Sequence, residues 1–599
     1  MFRQRHIYYI VAFICFLIHF EPVWAQNVPL STEYTRLYDF LDELSTDGVI
    51  RINHAVRPYT RKAIAEWLLE AQKSDSLLSK RQKSDLQFYL NEFALERDTI
   101  KNNFVQYTDH QTFNLSLADP QFSYISKNKQ FKLSLRPILG MEIIGGKKGV
   151  ILKRWWGAEL TMDIAKHLSI WGSLRDISWN GTFGLSDAYY SDVYAKIDGA
   201  KLTKPGYLNN MLGVQYKEAN YGGDFSDSRG GINAYTWWGS IGLQRENIKW
   251  GDAYHCSNIL SGRNPAVPMV TLQLTPCKWF QFDYFHAWLV SNIASKTYYY
   301  EQQAVNKADS IITNLQYRPH NKFMAANMFT FMPIKYVQFS FGNSIVYAEN
   351  NVQAAYFIPF AFYKSLDHLL TKGLGTENQN SQFFFSLSLH PVDHLKLYTS
   401  CYVDEVKFSR FKKSNPQNNP ISYLVGFDWT GWPIKGLSLK GEFMRSYIAC
   451  YSHSIPVLDF TSNSYNMGHY MGDNAQSIFV ELSYRPIRGM HVGLSYVHDT
   501  KYNSYDYIRG DVANAIAQKP FDKKIFCNEA LTLDLTYEVH PNMYLTANVM
   551  YNNARAYDNL TSTCVSEITG TAAAYLNKYA PVFYQGKNIT ASAGFSFSF

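Results

Sequence analysis

Between Trp250 and Pro268 the chain reads Trp250-Gly-Asp-Ala-Tyr-His-Cys-Ser-Asn-Ile-Leu-Ser-Gly-Arg-Asn-Pro-Ala-Val-Pro268, a stretch that carries Asp252, Asn258, Ser261 and Arg263 in close succession. A carboxylate, an amide, a hydroxyl and a guanidinium together can bond sugar hydroxyls. The indole faces of Trp237, Trp238 and Trp250 offer apolar surfaces on which a sugar ring can stack. The same residues also admit a structural reading: Asp252 and Arg263 tie an inward-folded connection to a wall, and the tryptophans form a membrane girdle. The structural reading carries more weight.

Catalytic chemistry finds no comparable pattern. No G-x-S-x-G elbow, H-E-x-x-H pair or Walker sequence occurs, and the scattered histidines offer no Ser/His/Asp constellation. The chain therefore reads as non-enzymatic, without cofactor or metal. Asp224 and Asp227, within Asn220-Tyr-Gly-Gly-Asp-Phe-Ser-Asp-Ser-Arg-Gly230, lack the spacing of an EF-hand loop and read as a solvated turn in a long outer connection from Thr182 to Gly231. Cys256, Cys277, Cys401, Cys450, Cys527 and Cys564 form no C-x-x-C pair. Cys527 and Cys564 could bridge neighbouring segments, and scattered cysteines on apolar faces are the simpler reading.

The elements that must position these residues change character along the chain. A basic start, Met1-Phe-Arg-Gln-Arg-His6, precedes an apolar run from Ile7 to Phe20 and a small residue, Ala25, which together read as a cleaved secretory signal over residues 1–25. That run is shorter than the roughly 20 residues a spanning helix needs. Residues 26–105 then show helical spacing. Ser31 is expected to cap a helix carrying Leu37, Phe40, Leu41 and Leu44, which Gly48 stops, and Thr60 to cap a second with Ile64, Trp67, Leu68 and Ala71. Leu86, Phe88, Leu90 and Phe93 mark a third. This bundle is expected on the periplasmic side, too small to plug a wide lumen.

From about residue 106 to Phe599 the period becomes two. Leu531, Leu533, Leu535 and Tyr537 alternate with Thr532, Asp534 and Thr536. The last strand alternates Ala591, Ala593, Phe595, Phe597 and Phe599 with Thr590, Ser592, Gly594, Ser596 and Ser598. Strands with one apolar and one polar face, in a chain that is 16% aromatic yet has a mean hydropathy of -0.25, fit a transmembrane barrel. Proline recurs at short turns, at Pro276, Pro333, Pro391, Pro433, Pro486 and Pro541, where ladder pairing stops. Two further short turns fit at 165–168 and 244–247. Eight inner turns with both barrel ends in the periplasm imply about 18 antiparallel strands, within a range of 16–20. The first strand pair is expected near 130–145 and 150–165, with the last strand closing the sheet against residues 130–145. Long connections, including the tyrosine-rich Lys296-Thr-Tyr-Tyr-Tyr-Glu301, fall outside.

Several stretches are similar to a known family. Val28-Pro-Leu-Ser31, Arg57-Pro-Tyr-Thr-Arg61, Gly157-Ala-Glu-Leu160, and Gly251-Asp252 through Ile259-Leu-Ser-Gly-Arg263 with Pro268 resemble, in that order, the capsule assembly Wzi family of outer-membrane barrels. The resemblance spans most of the chain beyond the leader and implies an 18-stranded barrel with a periplasmic helical portion, acting as a surface lectin that helps retain capsular polysaccharide. The Pro-x-Lys turns and Ile259-Leu-Ser-Gly-Arg-Asn-Pro265 look more like a branch that includes gliding-motility-associated proteins. The partners so implied are a surface polysaccharide, the outer-membrane bilayer and the barrel-assembly machinery, with the protein a monomer. The formal charge of +7 is mild for 599 residues, and no like-charged block suggests nucleic acid. A porin-like channel, or a surface component for adhesion or gliding, is the alternative.

Overall fold

The computed structural model describes residues 27–94, 96, 105–107, 122–126, 130–180, 214–219, 222–291, 293–305, 311–371, 379–412, 414–431, 433–508 and 510–597. The signal expected over residues 1–25 and the final residue, Phe599, lie outside them. Eighteen strands close into one antiparallel barrel. In chain order they are β1 (Phe131–Gly146), β2 (Gly149–Ile164), β3 (Leu168–Asn180), β4 (Gly222–Tyr235), β5 (Gly239–Glu246) and β6 (Val267–Cys277). β7 (Phe280–Leu289), β8 (Lys322–Ile334), β9 (Val337–Tyr347), β10 (Asn380–Val392), β11 (Leu395–Val403) and β12 (Ile421–Thr430) follow. The last six are β13 (Leu437–Ser446), β14 (Ala475–Tyr484), β15 (Met490–Tyr502), β16 (Lys524–His540), β17 (Met543–Ala556) and β18 (Gly586–Phe597). β18 closes against β1, from Thr590 opposite Gly146 to Phe597 opposite Leu139, as the alternation predicted.

Alternation decides which side chains meet lipid. Leu531, Leu533 and Leu535 of β16 and Leu545 and Val549 of β17 are exposed, whereas Thr536, Glu538 and Tyr544 between them are buried toward the lumen. No helix among the described residues is long and apolar enough to cross a membrane.

The proline turns have a specific geometry. Pro276, Pro333 and Pro391 each stand where the ladder skips a position, between Leu274 and Cys277, Phe331 and Ile334, and Leu389 and Val392. A residue without an N–H is tolerated where pairing is interrupted. The turn expected at 244–247 is corrected. Gln244, Arg245 and Glu246 belong to β5 and pair with β4 and β6. The short turn before them is Thr236-Trp237-Trp238, so the count of eight inner turns stands with one of them moved. The outer connection expected from Thr182 to Gly231 is also shorter, because Gly222–Tyr235 is a wall strand paired along β3. Asp227 is therefore no solvated turn residue; it is buried in the wall and bonded to Arg229 at 2.9 Å.

Three helices precede the barrel: α1 (Thr35–Thr46), α2 (Arg61–Lys73) and α3 (Lys80–Glu92). Leu37, Phe40, Leu41, Leu44, Ile64, Leu68, Leu86 and Phe93 form their shared core. Thr60 caps α2 by accepting from Ala63 N, and Ser79 with Gln82 forms a capping box on α3. Ser31 does not cap α1. The helix starts only at Thr35, with Tyr34 in the cap position, and the Ser31 hydroxyl accepts instead from Glu33 N at 3.3 Å and from Arg229 Nη1 at 2.5 Å.

The bundle sits at the short-turn end of the barrel and, contrary to the expectation from its size, reaches into the lumen. Its partners are lumen-facing wall residues. Glu33 lies 2.9 Å from Arg175, halfway along β3, and 3.4 Å from Arg229; Tyr34 donates to Glu159 of β2; Glu92 lies 3.5 Å from Arg136. Glu43 pairs with Arg485 at 2.6 Å, Asp39 with Lys440 at 3.8 Å and Asp47 with His394 at 2.8 Å. The size argument failed because it counted helices and left out the segments between them. Burial would raise the carboxyl of Glu33, yet Arg175 and Arg229 outweigh it and hold it down at about 2. Asp39 is likewise held at about 2, because Arg36 and Lys440 overcome the effect of burial.

A folded value below the unfolded one gives stability that is full above the unfolded carboxylate range, about 4.3, and is lost as pH falls toward 2. The urea midpoint of the detergent-solubilised protein should therefore drop between pH 5 and pH 3, and drop less in Glu33→Gln. At pH 7 the same variant should lose about 1.5–3 kcal/mol, the range for hydrogen bonds to charged groups, because Asp227 and Glu246 still face Arg229.

Candidate ligand-binding surface

Residues 247–266, between β5 and β6, leave the wall and fold into the lumen. Lys249–Trp250 pairs on one side with Val56–Arg57 from the N-terminal region and on the other with Leu260–Ser261, making a three-stranded sheet inside the barrel. The wall facing it is apolar. Met269, Phe285, Met324, Met328, Val346, Phe384 and Tyr402 pack with Trp250, Ile259 and Leu260, and Cys450, Tyr451, Phe460 and Met467 of the β13–β14 connection cover the cluster. Trp250 is 1% exposed and meets Phe285 and Phe384 edge-on at 5.0 and 5.6 Å. The lumen of this sector is a packed core.

Each residue singled out in the sequence has a definite place. Asp252 is buried and accepts from Ser386 of β10, while its other carboxylate oxygen has no partner among the described residues. Asn258 is fully buried, donating to Ser422 O at 3.0 Å and accepting from Ser400 Oγ at 2.6 Å, so it clips the insert to β11 and β12. Ser261 donates to Met467 O at 3.1 Å. Arg263, half-buried, lies over the ring of Tyr470 at 4.3 Å. The structure brings these four and Trp250 into one insert. Trp237 is not beside them: it stands on the short inner turn between β4 and β5, 52% exposed, at the level of a membrane girdle.

Electrostatics reinforce the packing of the insert. Glu442 of β13 accepts from the backbone N–H groups of Tyr254 and His255 and from Tyr398 Oη. His255 stacks on Phe479 at 4.5 Å, and burial with Arg263 and Lys249 nearby pushes its imidazole down to about 3, so it is neutral. Burial likewise lowers Lys249, to about 8. All six cysteines of the described residues are free, Cys527 and Cys564 included. One His/Cys/carboxylate group with donors within 4.8 Å, His498, Cys527 and Glu529, occurs among the described residues. Arg555 lies 3.0 Å from Glu529 and 4.0 Å from Cys527 Sγ, and this guanidinium already stands where a metal cation would.

A surface that the sequence reading passed over lies in the β11–β12 connection. Phe408 and Phe411 are 84% and 63% exposed, 6.5 Å apart, with Lys407 and Lys412 exposed beside them. The signal was present in Lys407-Phe-Ser-Arg-Phe-Lys412, two aromatic residues between cations where strand alternation has stopped.

The matching profile is that of capsule assembly protein Wzi, over residues 179–563. This chain belongs to the Wzi family. A solved structure, Wzi of Escherichia coli, is described as a carbohydrate-binding β-barrel of the outer membrane involved in group 1 capsule assembly. It superposes with a TM-score of 0.52 at 12% identity, over 96% of this chain and 100% of that one. Pseudomonas aeruginosa OccK8 (OprE) gives 0.40 at 10% identity, over 78% and 97%. Comparison with curated protein sequences returns no match. As a Wzi-family barrel the chain is an outer-membrane protein.

The packing of the insert into the lumen leads to two expectations. Planar-bilayer recordings of the purified protein should show no steady conductance. Asn258→Leu should cost about 1–3 kcal/mol in urea unfolding by stranding Ser400 and Ser422, while leaving glycan affinity unchanged; lost affinity at unchanged stability would instead make Asn258 a ligand contact.

Proposed function

We propose that this protein is a non-enzymatic surface lectin that binds a capsular or other cell-surface polysaccharide and holds it at the outer membrane. The observation that carries the reading is the combination of a Wzi-family barrel with a lumen packed by the 247–266 insert along β6 to β11. A barrel closed in this way presents its outer end, and exposed aromatic rings flanked by cations suit sugar rings and acidic groups. Phe408 and Phe411 are the primary stacking pair. Arg263 and Asp252, with Asn258, Ser261 and Trp250 behind them, serve mainly to hold the insert beneath the loops, and Trp237 serves the girdle. The porin-like alternative requires an open lumen, against which the apolar packing around Trp250 weighs.

A strain lacking the gene should release its polysaccharide to the medium, and the wild-type protein should restore attachment. Loss of two stacking faces at about 0.5–1.5 kcal/mol each should make Phe408→Ala/Phe411→Ala bind the purified polysaccharide about tenfold more weakly, with unchanged heat-modifiable migration. Normal attachment in the deletion strain, with no glycan binding by the pure protein, would overturn the reading.

A further inference from the structure

The connection from β9 to β10 begins at the outer end of the wall and turns back along its outside. Register fixes the faces. On β7, Phe285 points to the lumen, where it meets Trp250, so Phe282, Tyr284 and His286 point the other way. The ladder continues that outward face across the next two strands, as Phe282–Phe329–Phe341, Tyr284–Asn327–Asn343 and His286–Ala325–Ile345. These residues face away from the lumen, yet Phe282, His286 and Asn327 are 0% exposed and Tyr284 is 4%.

Residues 354–371 cover them, as a 3-10 turn (Ala354–Phe357) followed by α4 (Tyr363–Thr371). Tyr284 Oη donates to Tyr356 O at 3.0 Å, and Asn327 Nδ2 donates to Pro359 O and Ala361 O at 2.8 and 2.9 Å. Asn343 Oδ1 accepts from Tyr363 N at 2.9 Å. Phe360 stacks on Phe282 at 4.4 Å, near the inner end of β7, and Phe362 stacks on Phe383 of β10 at 5.3 Å. The segment therefore reaches far down the outer face.

We propose that residues 354–371 are a membrane-embedded strap whose partner is the hydrocarbon of the outer membrane. Its own outward side carries Phe357, Ile358, Phe360, Phe362, Leu369 and Leu370, 39–70% exposed, and it continues the exposed apolar wall of Ile241, Leu243, Phe339, Phe341 and Phe385. The exposed polar side chains among residues 355–371 are Ser365, whose hydroxyl donates to Phe362 O, and His368. Irregular backbone survives at membrane depth only where protein satisfies its polar groups. The row Phe331, Phe329, Asn327, Ala325, Phe323 breaks its apolar pattern at the one residue that bonds two strap carbonyls. An asparagine amide left bare in hydrocarbon would be costly, so Asn327 and the strap account for each other.

Two experiments test this in intact outer membranes. Photoreactive p-benzoylphenylalanine at position 360 or 369 should yield lipid adducts, as at wall position 341, and none at loop position 408. A protein adduct at 360, or no adduct there while 341 reacts, overturns the assignment. Asn327→Leu/Asn343→Leu places apolar residues on an outward-facing row, which should be neutral if lipid met it directly. The strap predicts instead that an external protease cuts within residues 354–371 in this variant and not in the wild type, with heat-modifiable migration kept. Equal protection of both proteins overturns it.

Discussion

A cation inside a barrel has to find an anion, and in this protein many of the anions come from the N-terminal helices and the segment that leads into them. Arg175 and Arg229 share Glu33, Arg485 takes Glu43, Arg136 faces Glu92, and Lys440 faces Asp39. Removing such charges from water is costly unless they are paired, so wall and helices specify one another. The bundle has a core of its own, but its charged surface is complementary to a lumen and unsuited to independent exposure. A further join lies in the turn between β14 and β15. Gly489 N donates to Asp85, and the positive φ of +71 at Gly489 brings a Cβ position to 2.5 Å from Glu538 O, which only glycine tolerates.

The rest of the interior follows a different rule. Away from the helices, β6 to β11 turn methionine, phenylalanine and alanine inward, and the 247–266 insert supplies the matching apolar surface. One lumen thus holds a charged compartment toward the short turns and an apolar one beyond it. The division suits their occupants, since a helical bundle with Glu33 and Arg36 on its surface would bury those charges unpaired against Met324 or Met328.

Much of the wall was legible from the sequence because a strand repeats every two residues and lipid enforces that repeat. The closing strand, the first strand pair and the proline turns fall where alternation and turn chemistry put them. Legibility ended where polar residues stopped signalling solvent. Asp227 and Arg229 read as a loop because a buried, mutually paired couple has the composition of an exposed one. Gln244 to Asn247 read as a turn for the same reason, although Gln244 belongs to a strand and Asn247 donates to Gly262 O. The insert was recognised as ordered, and the structural role preferred for Asp252 agrees with its bond to Ser386. Its depth in the barrel depends on pairing with Val56 and Arg57, a contact between remote segments that no local pattern announces. Phe408 and Phe411 were overlooked because aromatic residues are common in this chain and only their exposure distinguishes them.

That pairing of Val56–Arg57 with Lys249–Trp250 also bears on the order of assembly. The N-terminal segments form the centre of the finished object, whereas the strand that seals it, β18, comes last. A cylinder without a free edge has no side opening, so the helices reach their places before β18 meets β1 or through the inner mouth. The insert between β5 and β6, which needs Val56 as its neighbour, links the two events. Threading and sealing are thereby coupled, because the insert that fills the wall needs the N-terminal segment as its neighbour.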